Sequence, residues 1–191
     1  VVTARGCYYD QVIDPGGPRP WRYDLEQAGG GISMDGGAHW IRPLRIMLGE
    51  IDEVVAVTGR HIPRMDGESW VHALIRFANG LTASFDALLT GGETGPTEDF
   101  RITGTTGELV IESGRDGNLL LFNNEHPKGK AIMASFPGKV DSYGFELKDF
   151  CEHVLDGKPL AATPEYSLGE LRTAFAMYRS VESGTWEKVW D

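Results

Sequence analysis

The stretch Gly29-Gly30-Gly31-Ile32-Ser33-Met34-Asp35-Gly36-Gly37-Ala38-His39 organises the reading of this chain. Three glycines lead to a carboxylate, and two more stand between it and an imidazole four residues on. An apolar helix-like run, Trp40 to Leu48, follows at once. Glycine opens backbone conformations closed to other residues and lets a ligand come close. The pattern therefore reads as a loop that delivers Asp35 and His39 to a pocket at a helix entrance. Acid–base chemistry most often uses a histidine held near a carboxylate, and helical i,i+4 spacing would place both on one face. Each residue also has a plainer reading. Asp is a preferred helix N-cap, and His39 could simply bond a backbone group; the glycines and the pairing favour the functional reading.

Working outward, residues 38–48 carry Ile41, Leu44 and Leu48 on one helical face, with Gly49 as a stop. Pro43 should then lie within the first turn or so, since an interior proline breaks a helix. Upstream, residues 1–9 read as a strand, and residues 10–28, with Pro15, Gly16, Gly17, Pro18 and Pro20, as a loop. Downstream, residues 51–60 form a strand. Residues 69–78 and 81–89 flank Asn79-Gly80, a strong hairpin signal. In the first of these, Val71, Ala73, Ile75 and Phe77 share one face, and Trp70, His72, Leu74 and Arg76 the other. Residues 90–98 read as loop. Phe100 to Thr103 and Glu108 to Ile111 make a second hairpin, and strands near 118–122 and 131–135 follow. Leu147, Phe150, Cys151, Val154 and Leu155 then sit at helical spacing, ended by Gly157. Ser167 and Glu170 form a capping-box signature ahead of a last helix, which Gly184 stops. The order predicts an α+β fold: a large, mostly antiparallel open sheet with helices on one face.

Composition narrows the function. The 191 residues, 41% hydrophobic and 24% charged, suit one globular domain. A formal net charge of −10 disfavours nucleic-acid partners, and no apolar stretch is long enough to span a bilayer. Cys7 and Cys151, far apart, suggest neither a disulfide framework nor a zinc site, so a cytoplasmic, reducing setting is the default. A metal site from Asp35, His39 and a distant histidine lacks a second local ligand pair, and none is expected. His72 reads as a packed sheet-face residue.

The run Trp21-Arg22, then Ala28-Gly29-Gly30-Gly31, then Asp35-Gly36-Gly37-Ala38-His39, closed by Leu48-Gly49-Glu50, resembles the C-terminal domain of the Gfo/Idh/MocA family of NAD(P)-dependent sugar and polyol oxidoreductases. Asp35 to His39 fits that family's Asp-x-Gly-x-His motif. The segments Ile102 to Leu109, Glu146 to Phe150 and Ala176 to Ser180 resemble it too. The resemblance implies a glyceraldehyde-3-phosphate dehydrogenase-like C-terminal domain fold over residues 1–191. It implies hydride transfer between NAD or NADP and a secondary alcohol of a sugar, polyol or cyclitol. His39 would be the acid–base residue, and Asp35 would bind substrate or orient the histidine. Trp21 and Arg22 lie near the cleft in the family, though a surface anchor and a solvated charge are equally open readings. The Tyr143 hydroxyl could reach a polyol, with a structural tyrosine as the alternative. The family's N-terminal dinucleotide-binding Rossmann domain, its glycine-rich phosphate loop and its Glu-Lys-Pro segment with the catalytic lysine are absent from these residues. The chain is thus expected to be a fragment of a longer enzyme, with the dinucleotide held mainly outside it. Arg42 departs from the family, where many relatives carry an aspartate; it suits an acidic sugar or a pairing with a protein carboxylate. A non-catalytic sugar-binding or regulatory member is the alternative function, and a metal-assisted lyase or isomerase a third. Face-to-face packing of sheets implies a homo-oligomer.

Overall fold

A computed structural model of the chain describes residues 1–11, 17–92, 98–112, 118–134 and 139–190. Pro15 and Gly16 of the expected first loop, residues 93–97 of the later one and residue 135 of the expected last strand lie outside the described residues. The strands are β1 (Thr3–Gln11), β2 (Ile51–Gly59), β3 (Trp70–Phe77), β4 (Thr82–Thr90), β5 (Glu98–Thr103), β6 (Gly107–Glu112), β7 (Asn118–Asn123), β8 (Lys130–Ala134) and β9 (Glu187–Lys188). They form one nine-stranded sheet in the order β8-β7-β6-β5-β1-β4-β3-β2-β9. All the pairings are antiparallel except that of β1 with β4, where Ala4 faces Ala83 and Gln11 faces Thr90. The fold is α+β, as the alternating strands and terminal helices predict.

Among the described residues four α-helices accompany the sheet: α1 (Leu25–Ala28), α2 (Ala38–Leu48), α3 (Lys139–Asp156) and α4 (Pro164–Ser183). The core lies between one sheet face and α2 and α4. From the strands it takes Val54, Val71, Ile75, Phe77 and Phe85, and from the helices Ile41, Leu44, Leu48, Ala176 and Met177, all buried. The strict alternation of β3 puts Val71, Ala73, Ile75 and Phe77 into this core, because successive side chains of a strand point to opposite faces.

Four expectations need correction. Residues 10–28 are not one loop. β1 runs on to Gln11, a 3-10 turn spans Trp21–Tyr23, and α1 follows. The Asp24 carboxylate accepts the Glu26 and Gln27 N–H groups and so starts this short helix, and Gly29, left-handed at φ 75°, stops it. Secondly, Pro43 sits in the interior of α2, behind a π-helical turn at Ser33–Gly37 that lengthens the helical run at its start. Lacking an N–H, Pro43 leaves the His39 carbonyl without its i+4 donor. Thirdly, Ser167 and Glu170 do not cap α4. Thr163 does, its Oγ1 accepting the Tyr166 N–H with Pro164 as the first helical residue. Finally, His72 lies on the expected sheet face but is exposed rather than packed, hydrogen-bonded across the strands to Asp86 and set 5.2 Å from the Trp70 ring.

Ser167 and Glu170 serve a different purpose. Arg42 donates to Ser167 Oγ at 2.7 Å and to Glu170 Oε2 at 3.0 Å. Arg45, with its side chain only 1% exposed, pairs with the same Glu170 and with Glu50, and donates to the Tyr166 carbonyl at 2.7 Å. Two arginines of α2 thus converge on one carboxylate of α4. Arg42 is tied to the protein, and its difference from the family's aspartate is satisfied within the fold.

Among the described residues nothing covers this part of the other sheet face, where Val57, Leu74, His72 and part of Trp70 are in solvent. α3 also stands clear: Phe145, Leu147, Phe150, Val154 and Leu155 are exposed, as are Leu168, Leu171 and Phe175 of α4. No helix among the described residues is long and apolar enough to cross a membrane.

Candidate active site

The glycine-rich stretch forms the π-helical turn that opens α2. The Gly37 N–H bonds the Ile32 carbonyl at 2.8 Å, a five-residue reach, and the Asp35 N–H bonds the Gly31 carbonyl at 3.0 Å. Single π-helical turns within helices occur often at functional sites. Their wider winding keeps Asp35 and His39 on one continuous helical run while turning the carboxylate outward. Asp35 is not an N-cap; it lies inside the turn, and its side chain makes no capping bond.

Two glycines here are required by close approach rather than by unusual φ. A Cβ on Gly36 would overlap the Tyr8 ring of β1, and one on Gly31 would overlap the backbone of Glu68. The glycines let the turn press against the strand beneath it and the β2–β3 connection beside it.

The structure brings Asp35, Arg22 and Trp21 together. Arg22 Nη1 lies 3.6 Å from Asp35 Oδ2, and its guanidinium is 5.5 Å from the centre of the Trp21 ring, which is 58% exposed. The turn bearing Trp21 and Arg22 is held from the β2–β3 connection. Arg19 donates to the Tyr23 carbonyl at 2.6 Å and to the Arg64 carbonyl at 3.0 Å, and ion-pairs with Asp66. That hydrogen bond holds the Asp66 carboxyl below the usual carboxylate range. Arg64 in turn donates to the Gly17 carbonyl at 2.6 Å.

His39 lies one turn beyond Asp35, exposed on α2, and among the described residues it has no hydrogen-bond or ion-pair partner. Its imidazole is free to meet a ligand. Tyr143 lies on α3 with its ring exposed, and no described contact joins it to Asp35, Arg22 or His39.

Sequence reasoning missed Tyr8 and Asp10. The Tyr8 hydroxyl donates to Asp10 Oδ2 at 2.7 Å, and its ring lies 4.6 Å from Trp40, centre to centre. Burial, then the bond to Asp10 and the charges of Asp10 and Asp35, push the Tyr8 hydroxyl well above its ordinary pKa. It therefore remains a donor to the Asp10 carboxylate. The strand reading of residues 1–9 gave Tyr8 a place, whereas Asp10 fell in the expected loop and in fact belongs to β1; the packing of Tyr8 against the turn is tertiary, and no local pattern encodes it.

The arrangement suits a polyhydroxylated ligand. Carboxylates accept hydroxyl protons, a guanidinium donates, an exposed indole offers a flat apolar surface, and an unpaired imidazole can take or give a proton. It does not suit a dinucleotide's pyrophosphate. Such a group is held by free N–H groups at a helix start, and here the Gly31 and Ser33 N–H groups are bonded to the Glu68 carboxylate at 3.0 and 2.9 Å.

Residues 1–110 match the GFO/IDH/MocA C-terminal domain model, and the chain belongs to that family. Trp21, Arg22, Asp35 and His39 lie within the matched residues; Tyr143 does not. The chain is similar to a levoglucosan dehydrogenase of Pseudarthrobacter phenanthrenivorans, 27% identical over 169 residues, covering 75% of this chain and 43% of that protein. It is similar also to a D-xylose 1-dehydrogenase (NADP(+)) of Haloferax volcanii, 26% identical over 178 residues, with 89% and 51% covered. The solved structure of a levoglucosan dehydrogenase in complex with NADH and L-sorbose aligns with a TM-score of 0.78 at 25% identity, covering 98% of this chain and 58% of that one. The chain spans about half the length of the curated relatives it matches.

Proposed function

We propose that this chain is the substrate-binding and catalytic domain of an oxidoreductase that moves a hydride between NAD or NADP and a secondary alcohol of a sugar, polyol or cyclitol. The observation that carries the reading is the pairing on one helical run of an outward Asp35, bridged to Arg22, with a His39 that has no partner among the described residues, in the family whose relatives are sugar dehydrogenases. His39 takes the proton of the reacting hydroxyl. Asp35 and Arg22 hold neighbouring hydroxyls, and Trp21 packs on the ring's apolar side. A bound nicotinamide dinucleotide supplies the hydride acceptor; it and a catalytic lysine belong to a dinucleotide-binding domain outside these residues. The exposed apolar stripes of α3 and α4 support the presence of such a partner domain, since large exposed apolar patches usually mark an interface. The setting is cytoplasmic, with Cys7 and Cys151 kept as free thiols.

The test is steady-state reduction of NAD+ and NADP+ by the full-length protein across anhydrosugars, aldoses and inositols. Saturable reduction with at least one class is expected. Tight sugar binding with no reduction of either dinucleotide would sink the enzymatic reading in favour of a sugar-binding regulator.

The open sheet face is proposed to join two copies. Val57 and Leu74 are exposed on it, and closed homo-oligomers are the commonest way to cover such a surface. Light scattering should give at least twice the chain mass, and Leu74→Glu should lower it toward the monomer. A wild-type protein that stays monomeric at high concentration would rule this out.

A further inference from the structure

We infer that Glu68 and Tyr178, two residues remote in sequence from the Asp–His motif, act as positioning residues that lock the glycine-rich turn so that Asp35 and His39 face the substrate. The role rests on the dehydrogenase reading above. Glu68 lies on the β2–β3 connection, and Tyr178 on α4. The Glu68 carboxylate accepts the Ser33 N–H at 2.9 Å on one oxygen and the Gly31 N–H at 3.0 Å on the other. The Glu68 backbone carbonyl takes the Ile32 N–H between them at 2.9 Å. One residue therefore receives three successive backbone N–H groups. Such runs of N–H groups form anion-binding nests, and this nest is filled by a carboxylate of the protein itself.

Tyr178 completes the clamp. Its hydroxyl donates to Glu68 Oε1 at 2.9 Å and accepts from the Gly31 N–H at 3.1 Å. Burial, and then the Glu68 charge, raise the hydroxyl's pKa, so it stays protonated and keeps its proton on the carboxylate. The carbonyls of the same segment are committed as well: Gly31 accepts from Asp35, and Ile32 from Gly37. The peptide groups that define where Asp35 sits are thus fixed on both sides, and His39 follows on the same helical run. Misplacing a reacting group by about 1 Å can cost roughly a hundredfold in rate. A clamp on the turn therefore acts on catalysis without touching substrate.

Glu68→Gln keeps the shape but turns an NH2 group toward the Gly31 or the Ser33 N–H, where the carboxylate accepted, because an amide nitrogen cannot accept; the Tyr178 hydroxyl remains as an acceptor for Gly31 alone. Tyr178→Phe removes only the hydroxyl. In the full-length protein, two readouts separate the possibilities. The first, independent of activity, is amide hydrogen exchange in the peptide holding residues 29–39. The second is kcat and KM for the sugar, per folded enzyme. In both variants, exchange at Gly31 to Ser33 should quicken by about tenfold or more, the size expected when one charge-assisted hydrogen bond is lost. The value of kcat should fall roughly ten- to a hundredfold, with a smaller change in KM. Unchanged exchange in either folded variant would overturn the clamp. Faster exchange with wild-type kcat would overturn its positioning role, leaving a purely structural contact. If the wild type itself oxidises no sugar, the dehydrogenase reading fails instead, and the exchange readout still decides the clamp. Tyr178→Phe, the milder change, serves if Glu68→Gln does not fold.

Discussion

On the proposed dehydrogenase reading, His39→Ala in the full-length protein is expected to lower kcat by roughly 10²–10⁴-fold, the usual worth of a positioned general base, while circular dichroism shows an unchanged fold. The expectation follows from two structural facts. Among the described residues His39 has no partner, so its loss leaves no buried group there unsatisfied. It also sits at the surface of α2, so its loss opens no cavity. Asp35→Asn should also lose activity, because the pairing with Arg22 and the acceptor capacity for substrate hydroxyls both weaken. Arg42→Ala should cost less, since Arg42 is spent on Ser167 and Glu170. A His39→Ala enzyme with wild-type kcat and kcat/KM would remove the imidazole from the chemistry.

The second large effect concerns the helix pair that carries the site. Glu170→Ala should destabilise the protein by about 3 kcal/mol, the lower end of the cost of breaking a buried ion pair. Glu50 remains to neutralise Arg45, which is why the lower end applies. For a chain of this size that is roughly 6–12 °C in Tm. Arg45 is the residue at risk, because it is buried against α4 and also stacks on the Tyr166 ring at 4.1 Å. Exchanging Arg42, Arg45 and Glu170 together for leucines of matched bulk should recover much of the loss, because well-packed apolar groups often replace buried ion pairs without cost. Thermal unfolding followed by circular dichroism reads both. A Tm for Glu170→Ala within about 2 °C of wild type, under 1 kcal/mol on the same scale, would show that the cluster does not brace the helices.

The sequence made the sheet legible where one face is buried and the other is not. In β3, alternation placed Val71, Ala73, Ile75 and Phe77 correctly, because a strand's two-residue period leaves a direct trace in composition. The Asn79-Gly80 turn was equally plain; Gly80 adopts φ 85°, which few other residues tolerate. The parallel pairing of β1 with β4 left no such trace, since it joins strands separated by more than seventy residues. At the candidate site, the four-residue spacing of Asp35 and His39 matches their place on one helical run, and Arg22 lies beside both Asp35 and the Trp21 ring. The π-helical turn was invisible: inserting one residue into a helical winding changes no residue type. Glu68 and Tyr178 were missed for a related reason. Their partners are backbone N–H groups, which every residue carries, so no side-chain pattern announces the contact. The Ser167 and Glu170 signature misled because the Glu170 carboxylate pairs across helices with Arg42 and Arg45, and Ser167, besides accepting from Arg42, donates to the Thr163 carbonyl instead of accepting a helix N–H.

Hydride transfer itself can be followed atom by atom. A sugar substrate carrying deuterium on the carbon to be oxidised, incubated with the full-length enzyme and NAD+ or NADP+, should give a reduced nicotinamide with one deuterium per molecule by mass spectrometry, and a His39→Ala enzyme should form the same labelled product far more slowly. Reduced dinucleotide without the label, or oxidised sugar with the deuterium released to water, would contradict the reading of this site as a dehydrogenase centre.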